Sequence, residues 1–463
     1  MNMLIRSFLI APVAMLVMLQ ASHAVVITLG PNVNVTKQAG SQSETSIAIN
    51  RTNPNQIAIA SNNPGGVNMI TKFSTDGGVS WSSSALVVPG GYDSWMGADR
   101  FGNTYLSYQT SGTTHVARST DGGATYTGLF TGASFADHPE MAVGPGVAAG
   151  TSSIFLRDTI GSQSRIISAT STALGATGAF AVQTNQGAGN FGSSAVGPGG
   201  KTVFTAMNPS GGVGPANMTI RYDADGTGPG GYVTQSTVTT QVGGFRPIPA
   251  QPNRTIDTQV ALQYDSSGGA HNGDLYMLYT QAANLATNDT DIVFRRSTDN
   301  GATFSSELRL NNDVAGNSQF FGRLAVDQTT GYLAAVWYDT RNSPNDTTAE
   351  LWGTVSTDGG LTWEPNFMIS AGLSDGRQVN TGDPNEFGDY ISMDFYNGLL
   401  VASWADSSNS TGDNPNGTRG LDIYFSRILV AASEEPPPAV PEPTTLMLSA
   451  VALVFLARRA RRR

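Results

Sequence analysis

Short runs of alternating apolar and polar residues dominate the chain, and glycine, proline and asparagine separate them. In the first clear case, SIAIN begins at Ser46, QIAIAS at Gln56, VNMITKFS at Val67 and SSALVV at Ser83. A period of two predicts half-buried β-strands, because successive side chains of a strand point to opposite faces. These four runs predict one small antiparallel sheet, and the pattern predicts no helix outside the terminal segments.

The same order of four runs recurs and defines seven units. Between the third and fourth runs of the first unit lies STDGGVSW (Ser74–Trp81), with near copies beginning at Ser119, Ser297 and Ser356. The remaining units are Asp93–Phe130, Asp137–Val182, Asn190–Ser236, Thr255–Leu310, Asn317–Ser370 and Asn385–Ala432. Repeats of this length with four strands each predict an all-β fold, a single β-propeller of four-stranded antiparallel blades, with seven blades favoured and six as the alternative.

The repeated eight-residue segment has the chemistry of a turn. Its aspartate can accept hydrogen bonds from backbone amides, its glycines supply positive φ, and its final aromatic residue is expected to pack between neighbouring sheets. The segment resembles the Asp box of the sialidase and BNR-repeat superfamily. That resemblance places the boxes at the periphery, away from the active face, so we interpret four aspartates as structural: Asp76, Asp121, Asp299 and Asp358.

Residues 1–24 have the pattern of a signal peptide. Arg6 precedes an apolar run from Ser7 to Leu19, and Ser22 and Ala24 occupy the small-residue positions of a signal-peptidase site. A short membrane anchor is the alternative interpretation. We expect export across the inner membrane with signal peptidase as a processing partner.

The C-terminus carries Pro441-Glu442-Pro443, an apolar run from Leu446 to Ala457 and five arginines in the last six residues. This order resembles the PEP-CTERM sorting tail of exosortase substrates in Gram-negative bacteria. The resemblance implies transient anchoring by a short transmembrane segment, cleavage near Pro-Glu-Pro by exosortase, and release or attachment at the cell surface. The predicted domains are a propeller over 25–432, a proline-rich linker over 433–439 and the sorting signal over 440–463.

Charge limits the partners that the mature chain can have. The chain has 25 Lys+Arg and 35 Asp+Glu. Removing Arg6, the five tail arginines and Glu442 leaves 19 basic against 34 acidic residues, a net charge of about −15, which repels nucleic acid.

Cysteine is absent, so neither disulfides nor a zinc site of His and Cys is expected. No cofactor is predicted, although the many carboxylates leave calcium possible.

In an up-and-down blade, the start of the first strand and the end of the second lie on the same face of the ring. The residues at these positions include Glu44, Asp93, Asp137, His138, Glu140, Arg254, Asp257, Glu386, Asp389 and Asp406. The sialidase resemblance implies an arginine cluster for a sugar carboxylate, a tyrosine nucleophile and an aspartate acid. The candidates are Arg157, Arg254, Arg323 and Arg341 for the cluster, Tyr338 or Tyr390 for the nucleophile, and Asp137 or Asp389 for the acid.

The family's Phe-Arg-Ile-Pro element has only an imperfect counterpart, FRPIP at Phe245–Pro249. An alternative reading assigns Arg323 and Arg341 to an ion-pair network with Asp339 and Asp389. Three functions stay open: a surface propeller that binds glycan or matrix components, a sialidase-type glycoside hydrolase, and a purely structural surface protein.

Overall fold

A computed structural model describes residues 25–64, 66–132, 136–226, 230–314 and 316–433. The predicted signal peptide and sorting tail, and all but the first residue of the predicted linker, lie outside this range. The described chain forms seven antiparallel sheets arranged as a β-propeller, which confirms the predicted fold and the seven-blade count. Within these residues, no helix is long and apolar enough to cross a membrane.

The blades follow one another along the chain, and the first strand of each is innermost. Two strands precede them, β1 (Val25–Leu29) and β2 (Val33–Asn34). Blade 1 contains β3 (Ser43–Ile49), β4 (Ile57–Asn62), β5 (Ile70–Ser74) and β6 (Ser82–Ser83). Blade 2 contains β7 (Gly91–Ala98), β8 (Thr104–Thr110), β9 (Thr113–Ser119) and β10 (Thr127–Thr131). Blade 3 contains β11 (Ala136–Pro145), β12 (Ser152–Ile160), β13 (Gln163–Ala173), β14 (Ala176–Thr177) and β15 (Ala181–Gln183).

The second half of the ring repeats the arrangement after one inserted hairpin. Blade 4 contains β16 (Asn190–Val196), β17 (Thr202–Asn208), β18 (Ala216–Asp223) and β19 (Val233–Thr240). The hairpin contains β20 (Arg246–Ile248) and β21 (Gln251–Ile256). Blade 5 contains β22 (Ala261–Tyr264), β23 (Leu275–Ala282), β24 (Thr290–Ser297) and β25 (Leu308–Arg309). Blade 6 contains β26 (Gln319–Val326), β27 (Leu333–Asp339), β28 (Glu350–Ser356) and β29 (Phe367–Met368). Blade 7 contains β30 (Ser392–Tyr396), β31 (Leu399–Asp406) and β32 (Asp422–Ala432).

Strands from the start of the chain complete blade 7 and close the ring. Both β1 and β2 pair with β32. Val33 lies opposite Phe425, and the Gly30 N–H donates a hydrogen bond of 2.8 Å to the Arg427 carbonyl. The innermost strands contact one another in order from blade 1 to blade 7, and β30 contacts β3 again. Two short segments of the chain, VVITL (Val25–Leu29) and NVNVTK (Asn32–Lys37), therefore both contribute to closing the ring.

The four repeated segments, here called STDGG turns (74–81, 119–126, 297–304 and 356–363), share one hydrogen-bond pattern. Ser74 Oγ donates to Asp76 at 2.8 Å and accepts from the Gly78 N–H at 2.8 Å. Ser80 donates to Asp76 through its N–H at 2.9 Å and its hydroxyl at 2.6 Å. These hydrogen bonds, led by the Ser80 hydroxyl, lower the pKa of Asp76 to about 2. The same bonds form in the turns of Asp121, Asp299 and Asp358.

Each STDGG turn also packs against the preceding blade. Trp363 of blade 6 packs edge-on against Phe294 of blade 5, with ring centroids 5.1 Å apart. Trp81 of blade 1 packs in the same way against Phe425 of blade 7. At Gly360 φ is +80°, which favours glycine, and a Cβ atom there would collide with the Phe294 ring. Both the backbone conformation and the packing therefore require glycine.

Two sequence interpretations need correction. Unit five was expected to begin at Thr255, but that residue belongs to β21 of the inserted hairpin, and the inner strand of blade 5 begins at Ala261. Prolines at 247, 249 and 252 interrupt the alternation there, because they remove backbone donors from the ladder. The described residues also include one helical turn, α1 (Gln378–Thr381), and two 3₁₀ turns (Pro198–Gly200 and Gly417–Arg419), where no helix was predicted.

The blade contact at Trp363 gives a stability prediction. We expect Trp363→Ala to lower the free energy of unfolding by about 3 kcal/mol, because the substitution removes the half-buried ring between blades 5 and 6. Trp363→Phe keeps a ring against Phe294 and should recover most of this loss. Urea unfolding of the two variants measures the difference, and equal stability of Trp363→Ala and the wild type would refute the role of the contact.

Candidate functional site

An extra residue near the start of most innermost strands directs side chains toward one opening of the ring, here called the upper mouth. The pairing register shifts at these points in blades 1 to 4. The extra residues adopt positive φ, namely Glu44 (53°), Asp93 (51°), His138 (50°) and Phe191 (46°). This conformation is unfavourable for non-glycine residues, and β-bulges commonly re-aim side chains beside functional sites.

The inserted hairpin of β20 and β21 crosses the upper mouth. It leaves the ring after blade 4, and its tip is held by residues just before β30 of blade 7. Gln251 Nε2 donates to the Gly388 carbonyl at 2.8 Å, and Asn253 Nδ2 donates to Glu386 at 2.8 Å. The hairpin therefore covers part of the opening and leaves a cavity beside it.

This cavity has a volume of about 260 Å³ and is here called the mouth cavity. Blades 2, 3, 4 and 7 supply one side of it, and the hairpin with its flanking residues supplies the other. It is lined by Asp93, Asp137, His138, Phe191, Gly244, Phe245, Arg254, Thr255, Ile256, Asp257 and Asp389. Carboxylates from four separated parts of the sequence thus line the same cavity as two phenyl rings.

Arg254 connects the hairpin to the carboxylates on the opposite side of the mouth. Its Nε donates to Asp389 at 2.8 Å, its Nη2 pairs with the same carboxylate, and Glu44 lies 3.4 Å from Nη2. Burial raises the pKa of Glu44 well above its usual range, with Asp389 and Asp93 adding to the rise and Arg254 opposing it. Burial also raises the pKa of Asp93 to about 6, although His138 opposes this shift.

The pKa values of Asp137 and Asp257 shift in opposite directions. Burial raises the pKa of Asp257 to about 7 despite the nearby His138. Burial acts in the same sense on Asp137, but His138 and a 2.7 Å hydrogen bond from Asn190 outweigh it and lower the pKa. For His138, burial is outweighed by Asp137 and the other mouth carboxylates, so its pKa is raised.

A buried charged layer lies near the cavity. The Trp95 and Tyr390 rings stack with centroids 4.8 Å apart, and the Arg323 guanidinium lies 4.2 Å from the Trp95 centroid. Arg323 Nε donates to the Ile391 carbonyl at 2.8 Å. Burial raises the pKa of Glu140 to about 7, while Arg323 and Arg157 oppose the rise.

The four candidate arginines do not form one open cluster. Only Arg254 lines the mouth cavity, and it is already paired with Asp389. Arg157 is fully buried and donates to Thr159, Ser164 and the Gly189 carbonyl. Arg323 is buried against Trp95. Arg341 pairs with Asp339 at 2.6 Å and lies 4.0 Å from the Trp352 ring, away from the cavity.

The candidate aspartates line the cavity, but the candidate tyrosines do not. Asp137 and Asp389 line the cavity, whereas Tyr338 and Tyr390 are buried. The Tyr338 hydroxyl donates to the Ala405 carbonyl at 2.7 Å, and the Tyr390 hydroxyl points to the Ser94 carbonyl at 3.4 Å. Of the alternative ion-pair network, the Arg341–Asp339 pair is present, but Asp389 pairs with Arg254 instead. Among the described residues, Arg323 has no partner within ion-pair distance.

Sequence reasoning missed the aromatic side of the cavity. Phe191 and Phe245 meet edge-on, with centroids 5.9 Å apart. Phe245 begins the FRPIP stretch, whose prolines were the available signal for a segment outside the blades. Of the carboxylates that the strand-start rule grouped, Asp93, Asp137, Asp257 and Asp389 line the cavity, whereas Glu44, Glu140, Glu386 and Asp406 do not. No group of three or more metal-binding side chains with suitable geometry occurs in the described residues. Calcium binding stays a prediction.

Residues 439–463 match the family model of the PEP-CTERM protein-sorting motif. This motif marks a protein for export and exosortase-dependent sorting to the cell envelope of Gram-negative bacteria. The tail is therefore identified independently of the propeller. No protein of curated function matches the chain.

Several solved structures are similar in fold. A protein of unknown function from Dyadobacter fermentans DSM 18053 is 11% identical, with 87% of this chain and 99% of that chain covered and a TM-score of 0.48. The phage phi92 endosialidase is 12% identical, with 90% and 72% covered and a TM-score of 0.46. An α-L-arabinofuranosidase from Fusarium graminearum is 12% identical, with 72% and 99% covered and a TM-score of 0.43. These similarities carry no argument about activity.

The raised pKa values of the mouth predict how stability depends on pH. Asp93 and Asp257, with folded pKa values of about 6 and 7, bind protons in the folded state at pH values where the unfolded chain has released them. Their contribution is complete below the unfolded pKa and is lost as pH rises through the folded pKa. We therefore expect the Tm to fall between about pH 5 and about pH 8.

A double variant, Asp93→Asn with Asp257→Asn, provides the control, and calorimetry across this pH range provides the measurement. Its Tm should depend less on pH than that of the wild type. The STDGG turns do not interfere, because the lowered pKa values of their aspartates affect stability only at more acidic pH. A wild-type Tm that rises over this range would contradict the assignment.

Proposed function

We propose that this exported protein is a cell-surface or extracellular propeller that binds glycan or matrix components through the mouth cavity. The observation that carries the proposal is the pairing of two phenyl rings with several carboxylates in one cavity of about 260 Å³. Sugar rings present apolar C–H faces that pack on aromatic rings, and hydroxyl groups that donate to carboxylates. Small-ligand sites generally combine an apolar wall with a few placed polar groups in this way.

The charges in and beside the cavity favour a ligand without a carboxylate. A sialic-acid site needs guanidinium groups that are free to form bidentate pairs with the sugar carboxylate. Arg254 is paired with Asp389, Arg341 is paired with Asp339, and Arg157 and Arg323 are buried beside Glu140. An anionic sugar would have to displace an existing pair while facing several other carboxylates.

We also propose that the ring belongs to the sialidase and BNR-repeat superfamily. Its support is the common hydrogen-bond pattern of the four STDGG turns and their position at the end of the third strand in blades 1, 2, 5 and 6. Cleavage of the sorting tail would then leave the ring attached at the surface or released, with the mouth cavity accessible in either case.

Glycan binding predicts a specific loss in a variant of the cavity wall. Phe245→Ala should weaken binding of the best glycan from an array by about threefold to tenfold, since it removes half of the aromatic wall. Phe101→Ala is the matched control, because Phe101 lies in the turn between β7 and β8, away from the mouth. Affinity should be measured with the full-length protein. An array without any bound glycan would instead favour the purely structural role.

A second candidate, a glycoside hydrolase, is favoured by the opposite pKa shifts of Asp137 and Asp257. The two carboxyl groups line the same cavity, and one that keeps its proton near neutral pH can act as a general acid while one that stays ionised acts as its partner carboxylate. In this mechanism Asp257 would protonate the leaving oxygen, and Asp137 would activate water or stabilise positive charge at the anomeric carbon. The sialidase version of this activity would still require Arg254 to exchange Asp389 for the substrate.

The hydrolase candidate is tested by measuring turnover of fluorogenic glycosides. Sialosides and neutral sugars should be compared in the same assay. Activity should decline as pH rises through about 7, because Asp257 then loses the proton that it must donate. Asp257→Asn should reduce kcat at least about a hundredfold. Arg341→Ala, which changes a residue outside the cavity, should leave kcat unchanged. Absence of turnover on every substrate would remove the hydrolase and leave the binding function.

A further inference from the structure

Negative charge exceeds positive charge in the lining of the mouth cavity. When all groups are ionised, Asp93, Asp137, Asp257 and Asp389 face two cations, Arg254 and His138, which leaves an excess of two negative charges. Arg254 is committed to Asp389 and Glu44. The described lining residues therefore provide carboxylate oxygens that can accept hydrogen bonds from a ligand, but no unpaired guanidinium.

Two buried polar groups in the lining lack partners. The His138 side chain is only 6% exposed, and within the described residues neither ring nitrogen has a hydrogen-bond or ion-pair partner. Asp257 is 5% exposed and accepts the Gln259 N–H through one oxygen, while its other oxygen has no donor within the described residues. Both side chains line the cavity, where the second Asp257 oxygen can accept a hydrogen bond from a ligand and the His138 ring can donate one.

Part of the cavity wall is apolar. Phe191, Phe245 and Ile256 provide a surface for the C–H face of a ring, and His138 meets Phe191 edge-on at 4.9 Å between centroids. The volume of about 260 Å³ lies below the range for drug-sized ligands, so it suits a single sugar unit. A flat ring on this wall would direct its substituents toward the carboxylates.

We propose that the mouth cavity binds a sugar unit carrying a free ammonium group, as in an unacetylated hexosamine, with the ammonium held by Asp137 and Asp257 and the ring packed on Phe191 and Phe245. The proposal rests on the glycan-binding function proposed above and specifies its ligand class. An ammonium group donates up to three hydrogen bonds and offsets one of the two excess negative charges, whereas a neutral hydroxyl group donates one hydrogen bond and offsets none.

Binding of a cation should displace protons from the cavity. Asp93, Asp257 and the neighbouring Glu44 have raised pKa values, and His138 holds its proton because of the same carboxylates. The other charged groups that face them are Asp137, Arg254 and Asp389 in the lining, with Glu140 and Arg323 nearby. A cationic ligand favours ionised carboxylates and neutral His138, so both effects release protons, while an anionic ligand would cause proton uptake.

The test is titration calorimetry of the full-length protein near pH 5.5, with a β-1,4-linked glucosamine hexamer as the probe, because its amino groups are then protonated before they bind. Two buffers with different ionisation enthalpies reveal the sign of proton exchange. We expect net proton release, and affinity at least about tenfold higher than for the fully N-acetylated hexamer. Asp137→Asn should reduce affinity for the glucosamine hexamer at least about tenfold and narrow the difference between the two hexamers.

Asp375→Asn is the matched control, because Asp375 pairs with Arg377 outside the cavity and its loss should leave affinity unchanged. Equal or tighter binding of the N-acetylated hexamer would overturn the ammonium proposal while leaving glycan binding intact. If neither hexamer nor any neutral or acidic glycan binds, the proposed function itself fails. Equally tight binding of a lysine-rich peptide would overturn the sugar assignment, since the ring would then contribute nothing.

Discussion

Pairing between the first strands of the described chain and its last long strand is the constraint on which the ring depends. Blade 7 has only three strands of its own, and β1 and β2 complete it. Asn34 Nδ2 and Thr36 Oγ1 both donate to the buried Asp422 carboxylate, at 2.5 and 3.2 Å, so the closure includes side chains as well as the backbone ladder. Closure also removes the open edges that would otherwise pair with other chains. Once the ring is closed, the innermost strands of all seven blades begin at the same opening.

The mouth depends on that closure because its groups come from distant parts of the sequence. Arg254, on a hairpin between blades 4 and 5, pairs with Asp389 before blade 7 and approaches Glu44 of blade 1. The buried carboxylates would repel one another if all were ionised, and raised pKa values together with Arg254 and His138 reduce this repulsion. The resulting site is acidic, partly protonated near neutral pH and closed on one side by aromatic rings.

The sequence was sufficient to predict those features that depend on repetition. The alternation of short runs predicted strands, and the four STDGG segments predicted turns whose glycine and aromatic residues, such as Gly360 and Trp363, lock neighbouring blades. The strand-start rule also grouped Asp93, Asp137 and Asp389 at one face. The rule could not tell which of these residues line the cavity and which are buried in the blades, because that depends on side-chain packing. Tyr338 and Arg341 follow the same rule but lie away from the cavity. The hairpin was missed because its prolines interrupt the period that the prediction used.

The central claim is that the acidic, aromatic-walled mouth cavity is the ligand site of the propeller. A crystal structure of the full-length protein with bound glucosamine oligomer tests it most directly. The account predicts one sugar unit packed on Phe191 and Phe245, with its amino nitrogen within hydrogen-bond distance of Asp137 and Asp257. An oligomer bound at the periphery of the blades, with the mouth cavity containing only solvent, would contradict the claim.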